Sequence, residues 1–180
     1  MCEVVLQLTG LQKAFGALVV TDNIDLDLRR GECHALIGPN GAGKTSLIRM
    51  ITMITAPDSG EILLDGKRLD KSHIQDIGYL PEERGLYKKM KVAEQLLYLA
   101  QLRGLSLATA KQEVKYWLDK FEASDWWNKT IEELSKGMQQ KIQFIATVLH
   151  KPNLIILDEP FTGLDPMNTN LIKEEIYRMN

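Results

Sequence analysis

The chain has 180 residues, of which 44% are hydrophobic and 26% charged, as in a single soluble globular domain. Its formal charge of −2 provides no overall attraction to nucleic acid, so nucleic acid is not an expected partner. No apolar run has the length that crosses a bilayer, and the N-terminus lacks a secretory pattern, so we expect a cytoplasmic protein.

The N-terminal part is predicted to be rich in strands. Alternating apolar and polar residues predict half-buried strands at Val4–Leu8 and Ile24–Leu28. The mostly apolar run Cys33–Ile37 stops at Gly38, which predicts a buried strand of a parallel sheet with Cys33 as a small buried residue. A strand at Glu61–Leu64, followed by an Asp-Gly turn, completes this part.

The rest of the chain is predicted to alternate helices with one further strand. Leu47, Ile48, Ile51 and Ile54 share one helical face after the glycine-rich segment. Val92–Leu149 is mainly helical, and its tryptophans are interpreted as packing residues. The continuous apolar run Leu154–Leu157 predicts a buried parallel strand. These elements indicate an α/β fold with a mostly helical subdomain.

A glycine-rich loop carries the strongest chemical signal. Its residues fit the pattern G-x-x-x-x-G-K-[ST], in which glycines let backbone N–H groups surround phosphate and the following helix adds its positive end. Lys44 is predicted to reach the β- and γ-phosphates, and the Thr45 hydroxyl to bind Mg²⁺. The alternative is a glycine-rich turn without a ligand. The predicted binding residues are Gly38, Pro39, Asn40, Gly41, Ala42, Gly43, Lys44, Thr45 and Ser46.

Two adjacent carboxylates supply the acid that such a loop needs. Asp158 follows the apolar strand and is predicted to hold Mg²⁺ directly or through water. Glu159 is placed to polarise the attacking water, so Glu159 and Lys44 are the predicted catalytic residues. The alternative for both carboxylates is a solvated strand end.

Four ordered motifs resemble those of the ATP-binding cassette (ABC) ATPases. Leu134–Gln140 resembles the signature sequence LSGGQ, and Asp158-Glu159-Pro160 matches the extended Walker B motif. Thr162–Asp165 matches the D-loop, and Phe15 falls where this family stacks an aromatic ring on adenine. The resemblance implies a P-loop NTPase fold with a mostly parallel core sheet, an N-terminal antiparallel β part and a helical subdomain. The implied division is a core of residues 1–90 and 151–180, and a helical signature subdomain of about 91–150.

The resemblance also implies an ATP-dependent head-to-tail dimer. Each ATP, with its Mg²⁺, is expected to rest on one subunit's glycine loop and to meet the other subunit's signature segment. Ser135 and the Gly137 N–H, at a helix N-terminus, then form a second anion site. Asp165 is expected near the subunit interface, where it couples the two sites.

The chain departs from the family pattern at several positions. Lys136 replaces a glycine of the signature, and Met138 replaces its glutamine, which removes glutamine's hydrogen bonds. Glu82 stands where glutamine is usual; its carboxylate is a possible Mg²⁺ ligand but cannot donate a hydrogen bond to water. The sequence of Tyr79–Tyr87 resembles that of a subgroup typified by sodium-efflux transporter ATPases.

The chain stops at Asn180, before the strand that ends in the family's switch histidine. We therefore expect a C-terminally truncated domain that binds ATP but hydrolyses it poorly. The sequence up to about Ser46 resembles that of branched-chain amino-acid importer ATPases, whereas the remaining sequence resembles that of the sodium-efflux subgroup. A natural intermediate and a chimera both fit this mixture.

The predicted function is that of an ATP-driven motor subunit docked on a separate transmembrane permease. It is expected to lie at the inner face of the cell membrane, with the regions Glu82–Tyr87 and Lys88–Lys91 as docking surface. The basic run Lys88–Lys91 is equally explained as a solvated face. The alternatives are a soluble ABC ATPase of nucleic-acid or ribosome processes and a nucleotide-binding module without turnover. Small kinases and GTPases share the loop but lack the signature and the D-loop.

Overall fold

The computed structural model describes residues 3–83 and 85–179. These residues form two compact units, one extending to Ile77 and the other comprising Gly78–Met179. Arg84, in the segment that resembles the sodium-efflux subgroup, and the terminal residue Asn180 lie outside the described residues.

The first unit contains a four-stranded antiparallel sheet. Strands β1 (Val4–Phe15) and β2 (Leu18–Arg29) form a long hairpin, and β3 (Ser59–Leu64) and β4 (Lys67–Arg68) form a short one. The strand order is β2-β1-β3-β4. The strands predicted at Val4–Leu8, Ile24–Leu28 and Glu61–Leu64 are confirmed, and the first two are longer than the sequence pattern indicated.

Helix α1 (Lys44–Ile51) follows the glycine loop and buries Leu47, Ile48, Met50 and Ile51. The predicted helical face is therefore confirmed as far as Ile51. Ile54 lies beyond the helix and is 61% exposed, so its inclusion on that face is wrong. The helix ends earlier because Met53 has a φ of 59°, which reverses the chain direction.

The predicted buried strand at Cys33–Ile37 is wrong. In the described parts of the chain this segment belongs to no strand ladder, and all five of its residues are exposed, with Ile37 at 89%. Cys33 is an exposed free thiol rather than a buried residue. An apolar run becomes a buried strand only when neighbouring strands pair with its backbone and other side chains cover it. No such pairing occurs among the described residues.

The second unit is mainly helical. Its helices are α2 (Val92–Leu102), α3 (Leu107–Lys120), α4 (Lys136–Val148) and α5 (Pro166–Met179), and β5 (Ile77–Leu80) pairs with β6 (Leu154–Leu157) in a two-stranded sheet. The predicted helical stretch and the predicted strand at Leu154–Leu157 are confirmed. Leu154 of β6 is buried, whereas the other three residues of the strand are half-buried.

One apolar core unites the helices of this unit. Trp117 is 5% exposed and packs with Phe121 and Phe144, while Trp126 and Trp127 are partly buried against the same cluster. The packing role predicted for the tryptophans is confirmed. Two charged side chains also enter this region: Lys120 pairs with the 5% exposed Glu175 at 2.6 Å, which joins α3 to α5.

Candidate nucleotide-binding site

The loop from Gly38 to Thr45 follows the pattern that the sequence predicted and leads directly into α1. Gly41 and Gly43 have φ angles of 81° and 88°, a left-handed conformation that glycine adopts without strain. A Cβ atom added at Gly43 would lie 2.1 Å from the Val20 carbonyl oxygen. The loop therefore runs against strand β2, and only glycine fits at this contact.

The Lys44 side chain folds back onto the loop that precedes it. Its Nζ donates hydrogen bonds to the carbonyl oxygens of Gly38 at 2.7 Å and Pro39 at 2.8 Å. The Ala42 N–H donates to the same Pro39 carbonyl at 3.2 Å and closes a turn. The positive charge is thus held within the curve of the glycine loop.

The N-terminus of α1 adds unpaired donors beside that charge. Its N-cap is Gly43, which supplies no side-chain cap, and the first turn contains no acidic residue. The first N–H groups of a helix have no partner within the helix and carry the positive end of its dipole. Thr45 is exposed and Ser46 is half-buried in this first turn.

Phe15 belongs to the same unit as the loop. It is the last residue of β1, is 55% exposed and lies opposite Leu18 at the start of β2. Two residues further along β2, Val20 contacts Gly43. The structure therefore places the aromatic residue and the glycine loop near the same end of β2, as a base site and a phosphate site require.

The predicted carboxylates lie in the second unit. Asp158 is half-buried directly after β6, and its N–H donates to the Leu80 carbonyl at the end of β5 at 2.9 Å. The exposed Glu82 follows two residues after Leu80. The structure thus brings the ends of β5 and β6 together, and the segments carrying Asp158 and Glu82 leave from that point.

Glu159 has a strained backbone and an anchored side chain. Its φ is 50°, in the left-handed region that residues other than glycine seldom adopt. Its exposed carboxylate accepts a hydrogen bond from the Thr162 hydroxyl at 2.9 Å, and its carbonyl accepts one from the Thr162 N–H at 3.2 Å. A tight turn therefore fixes the direction of this carboxylate.

The signature segment begins helix α4. Ser135 is the N-cap residue, and its hydroxyl accepts a hydrogen bond from the Met138 N–H at 3.3 Å. Gly137 lies in the first turn, where an added Cβ would be 3.6 Å from the Gly163 carbonyl oxygen. Met138 is partly buried against the apolar core of the second unit, which explains why an apolar side chain fits where the family has glutamine.

Two buried glutamines of α4 hold the segments around the carboxylates, and the sequence reasoning missed both. Gln140 is 4% exposed and donates to the Pro160 carbonyl at 3.2 Å, directly after Glu159. Gln143 is 5% exposed and donates to the Pro81 carbonyl at 3.0 Å, directly before Glu82. Their spacing of three residues, which places them on one face of α4, was the available signal.

Asp165 acts as a helix cap in this structure. Its carboxylate accepts the Asn168 N–H at 2.9 Å at the start of α5, and Pro166 occupies the first helical position. This hydrogen bond from the Asn168 backbone lowers the pKa of Asp165 below its ordinary value. The predicted coupling role of Asp165 between subunits stays a prediction.

Comparisons with known proteins agree on one family. The family model described as ABC transporter matches residues 21–162. The ABC transporter ATP-binding protein YhaQ of Bacillus subtilis is 49% identical over 97% of this chain and 58% of its own length. A solved ATP-binding subunit of an ABC transporter superposes with a TM-score of 0.89 at 32% identity, covering 97% of this chain and 74% of that one.

A second solved structure supports the same fold. It is cbiO1 of Clostridium perfringens, described as part of the ABC transporter complex cbiONQ, with a TM-score of 0.83 at 26% identity over 98% of this chain and 74% of that one. The predicted α/β P-loop NTPase fold is therefore confirmed. This chain spans between half and two thirds of the length of the curated relatives it matches. With this family match and this identity over nearly its whole length, the chain belongs to the ABC transporter family as one of its ATP-binding domains.

Proposed function

We propose that this chain binds Mg-ATP, and that the protein to which the domain belongs hydrolyses ATP to drive transport through a membrane permease. The observation that carries the proposal is the position of the Lys44 ammonium within the glycine loop, next to the uncapped N-terminus of α1. A triphosphate needs such a concentration of positive charge and N–H donors.

We propose that a magnesium ion accompanies the bound ATP, since the candidate ligands all carry the oxygen atoms that Mg²⁺ prefers. Among the described residues, no three His, Cys, Asp or Glu side chains cluster as a complete protein cage. Mg²⁺ in nucleotide sites is held by one or two protein oxygens together with phosphates and water, so a cage is not needed. We assign the Thr45 hydroxyl and the Asp158 carboxylate as its protein ligands, with the exposed Glu82 as a further candidate. When bound, the ion would offset phosphate charge.

For hydrolysis, we assign the Glu159 carboxylate as the group that accepts a proton from the attacking water. The turn to Thr162 supports this role because it holds the carboxylate in one direction without removing its second oxygen from solvent. Lys44 would offset charge that develops on the phosphates. In this assignment Lys44 and Glu159 are the catalytic residues.

The partners are proposed on the family relationship. No helix in the described parts of the chain is long and apolar enough to span a bilayer. On the family relationship we propose a permease partner at the inner face of the membrane, where ATP is available, with the exposed segment from Tyr87 to Lys89 as the contact. The N-cap Ser135 and Gly137 on α4 are proposed to meet the ATP of a second subunit in a head-to-tail dimer.

The proposal is tested by titrating Mg-ATP into the purified chain in a calorimeter. Lys44→Ala is expected to weaken binding at least a hundredfold, because it removes the only side-chain charge of the loop. Lys67→Ala removes an exposed lysine from β4 of the same unit and serves as the matched control. No heat of binding with the folded wild type, or equal loss in both variants, would contradict the proposal.

The catalytic assignment is tested with the full protein that contains this domain. Glu159→Gln is expected to retain ATP binding and to lose turnover, because an amide keeps the size of the side chain but does not accept the proton. Equal turnover by the variant and the wild type would remove Glu159 from the mechanism.

A further inference from the structure

The end of β1 that carries Phe15 is held from outside the hairpin by one carboxylate. Asp58, which directly precedes β3, accepts a hydrogen bond from the Lys13 ammonium at 2.6 Å and another from the Ala14 N–H at 2.8 Å. The Asp58 N–H in turn donates to the Gln12 carbonyl at 2.9 Å. Asp58 thus forms a hydrogen bond with each of the three residues that precede Phe15.

This attachment lies where the β-ladder is irregular. The register between β1 and β2 shifts on both sides of Lys13. Such irregularities interrupt the regular hydrogen bonds of a hairpin and change the local direction of the strand. Asp58 adds a restraint directly before Phe15.

The ion pair also places a charge over the aromatic ring. The Lys13 Nζ lies 5.4 Å from the centre of the Phe15 ring, within the range of a cation–π contact. The Lys13 side chain is only 13% exposed, whereas Phe15 is 55% exposed. The ammonium therefore occupies one side of the ring, and the rest of the ring remains open to solvent.

We propose that Lys13 and Asp58 are positioning residues for the nucleotide base: they hold the Phe15 ring with one face against the ammonium and the other available for stacking on the purine. This inference rests on the proposed binding of ATP. An exposed aromatic side chain on a hairpin end samples several rotamers, and ordering it on binding lowers affinity. The Lys13–Asp58 pair removes that cost by ordering the ring beforehand.

A direct contact between Lys13 and phosphate is the competing explanation for any effect of Lys13 on ATP. The low exposure of Lys13 and its pairing with Asp58 argue against it, because the ammonium is already engaged. The two explanations separate when binding of ATP is compared with binding of inorganic tripolyphosphate, which has no base.

The test measures dissociation constants of both probes, with Mg²⁺, by calorimetry on the purified chain. Lys13→Met and Asp58→Asn are expected to weaken ATP binding about three- to tenfold and to leave tripolyphosphate binding unchanged. Lys13→Arg keeps both the ion pair and the cation–π contact, so this variant should bind ATP as the wild type does. Asp65→Asn, which changes a carboxylate paired with Arg30 at 3.1 Å in the same unit, is the matched control.

A second measurement excludes a general loss of structure. In a Phe15→Ala background, Asp58→Asn should weaken ATP binding no further, because the ring that it positions is gone. Equal weakening of ATP and tripolyphosphate, or undiminished weakening in the Phe15→Ala background, would overturn the inference while leaving ATP binding intact. Failure of the wild type to bind either probe would instead contradict the proposed function.

Discussion

The glycine loop from Gly38 to Thr45 and the segment from Asp158 to Asp165 achieve precise geometry in opposite ways. The loop is shaped by its own backbone, with left-handed glycines and a lysine that bonds to the loop's carbonyls. The second segment is held by side chains, namely the hydroxyl of Thr162 within it and the amide of Gln140 from α4. The loop should therefore be intolerant of added atoms, and the second segment should depend on distant residues.

The largest expected effect comes from adding one methyl group to the loop. Gly43→Ala places a Cβ atom 2.1 Å from the Val20 carbonyl in a residue with a φ of 88°. We expect the free energy of unfolding to fall by about 3 kcal/mol and ATP binding to be lost, because both the clash and the left-handed backbone oppose the native loop. Urea unfolding and calorimetry provide the two measurements.

Gly41→Ala is the matched control for that change. Gly41 has a similar φ of 81°, but an added Cβ would meet no atom within 4 Å. Only the conformational cost remains, so we expect a loss of about 1 kcal/mol. If the two variants were equally stable, close packing against β2 would not be what requires glycine at position 43.

The next effect tests whether a distant side chain holds the second segment. Gln140→Leu removes the donor to the Pro160 carbonyl inside the protein and should lower the free energy of unfolding by about 1–2 kcal/mol, since the carbonyl loses its partner. The same substitution at Gln112, which is exposed on α3, should change stability little. Similar losses at both positions, measured by urea unfolding, would argue against this anchoring role.

A smaller effect concerns the strained backbone of Glu159. Glu122, which follows α3, has nearly the same φ, 52° against 50°, so it shares the strain. Glu122→Gly should raise the free energy of unfolding by about 0.5 kcal/mol, because glycine relieves the left-handed conformation at some cost in chain entropy. Glu159→Gly should instead lower it by about 0.5 kcal/mol, since it also removes the Thr162 hydrogen bond.

This pair of variants decides whether the hydrogen bond stabilises the turn at Glu159. Urea unfolding of both proteins, with the wild type alongside, gives the comparison directly. Equal stabilisation of the two variants would mean that the Thr162 hydroxyl does not stabilise the turn, and the carboxylate would then not be held in a fixed direction.

The same contrast explains what the sequence could predict. The glycine loop, its lysine and the following helix were predicted because their pattern is local, and the structure has left-handed glycines and a helix start there. Gln140 and Gln143 were missed because a glutamine in a helix is usually a surface residue, and only the fold shows that these two are buried against carbonyl groups. The role of Asp58 was missed because its partners Lys13 and Ala14 are far from it in the chain.

The prediction at Cys33–Ile37 failed for a related physical reason. Its apolar composition favoured a buried strand, but burial also requires paired neighbours, and composition does not contain that information. The helices of the second unit were predicted well because each amphipathic face is a local pattern. Their packing partners, such as the Lys120–Glu175 pair, were not predictable, since those residues are far apart in the chain.

The smallest effect is the pH dependence that Asp165 of the second segment contributes. Hydrogen bonding from the Asn168 N–H lowers the pKa of Asp165 below its ordinary value of 3.8. A carboxylate with a lowered pKa in the folded state stabilises the fold above its ordinary value, and this contribution is lost as the pH falls through the folded pKa. Asp165→Asn keeps a capping oxygen for α5 but does not titrate.

The difference in unfolding midpoint between wild type and variant should therefore stay constant from about pH 7 to 5 and change only below about pH 4. A change already between pH 7 and 5 would show that the Asn168 bond does not stabilise the ionised carboxylate. The glycine loop contains no carboxylate, so its own contacts should not respond in this range.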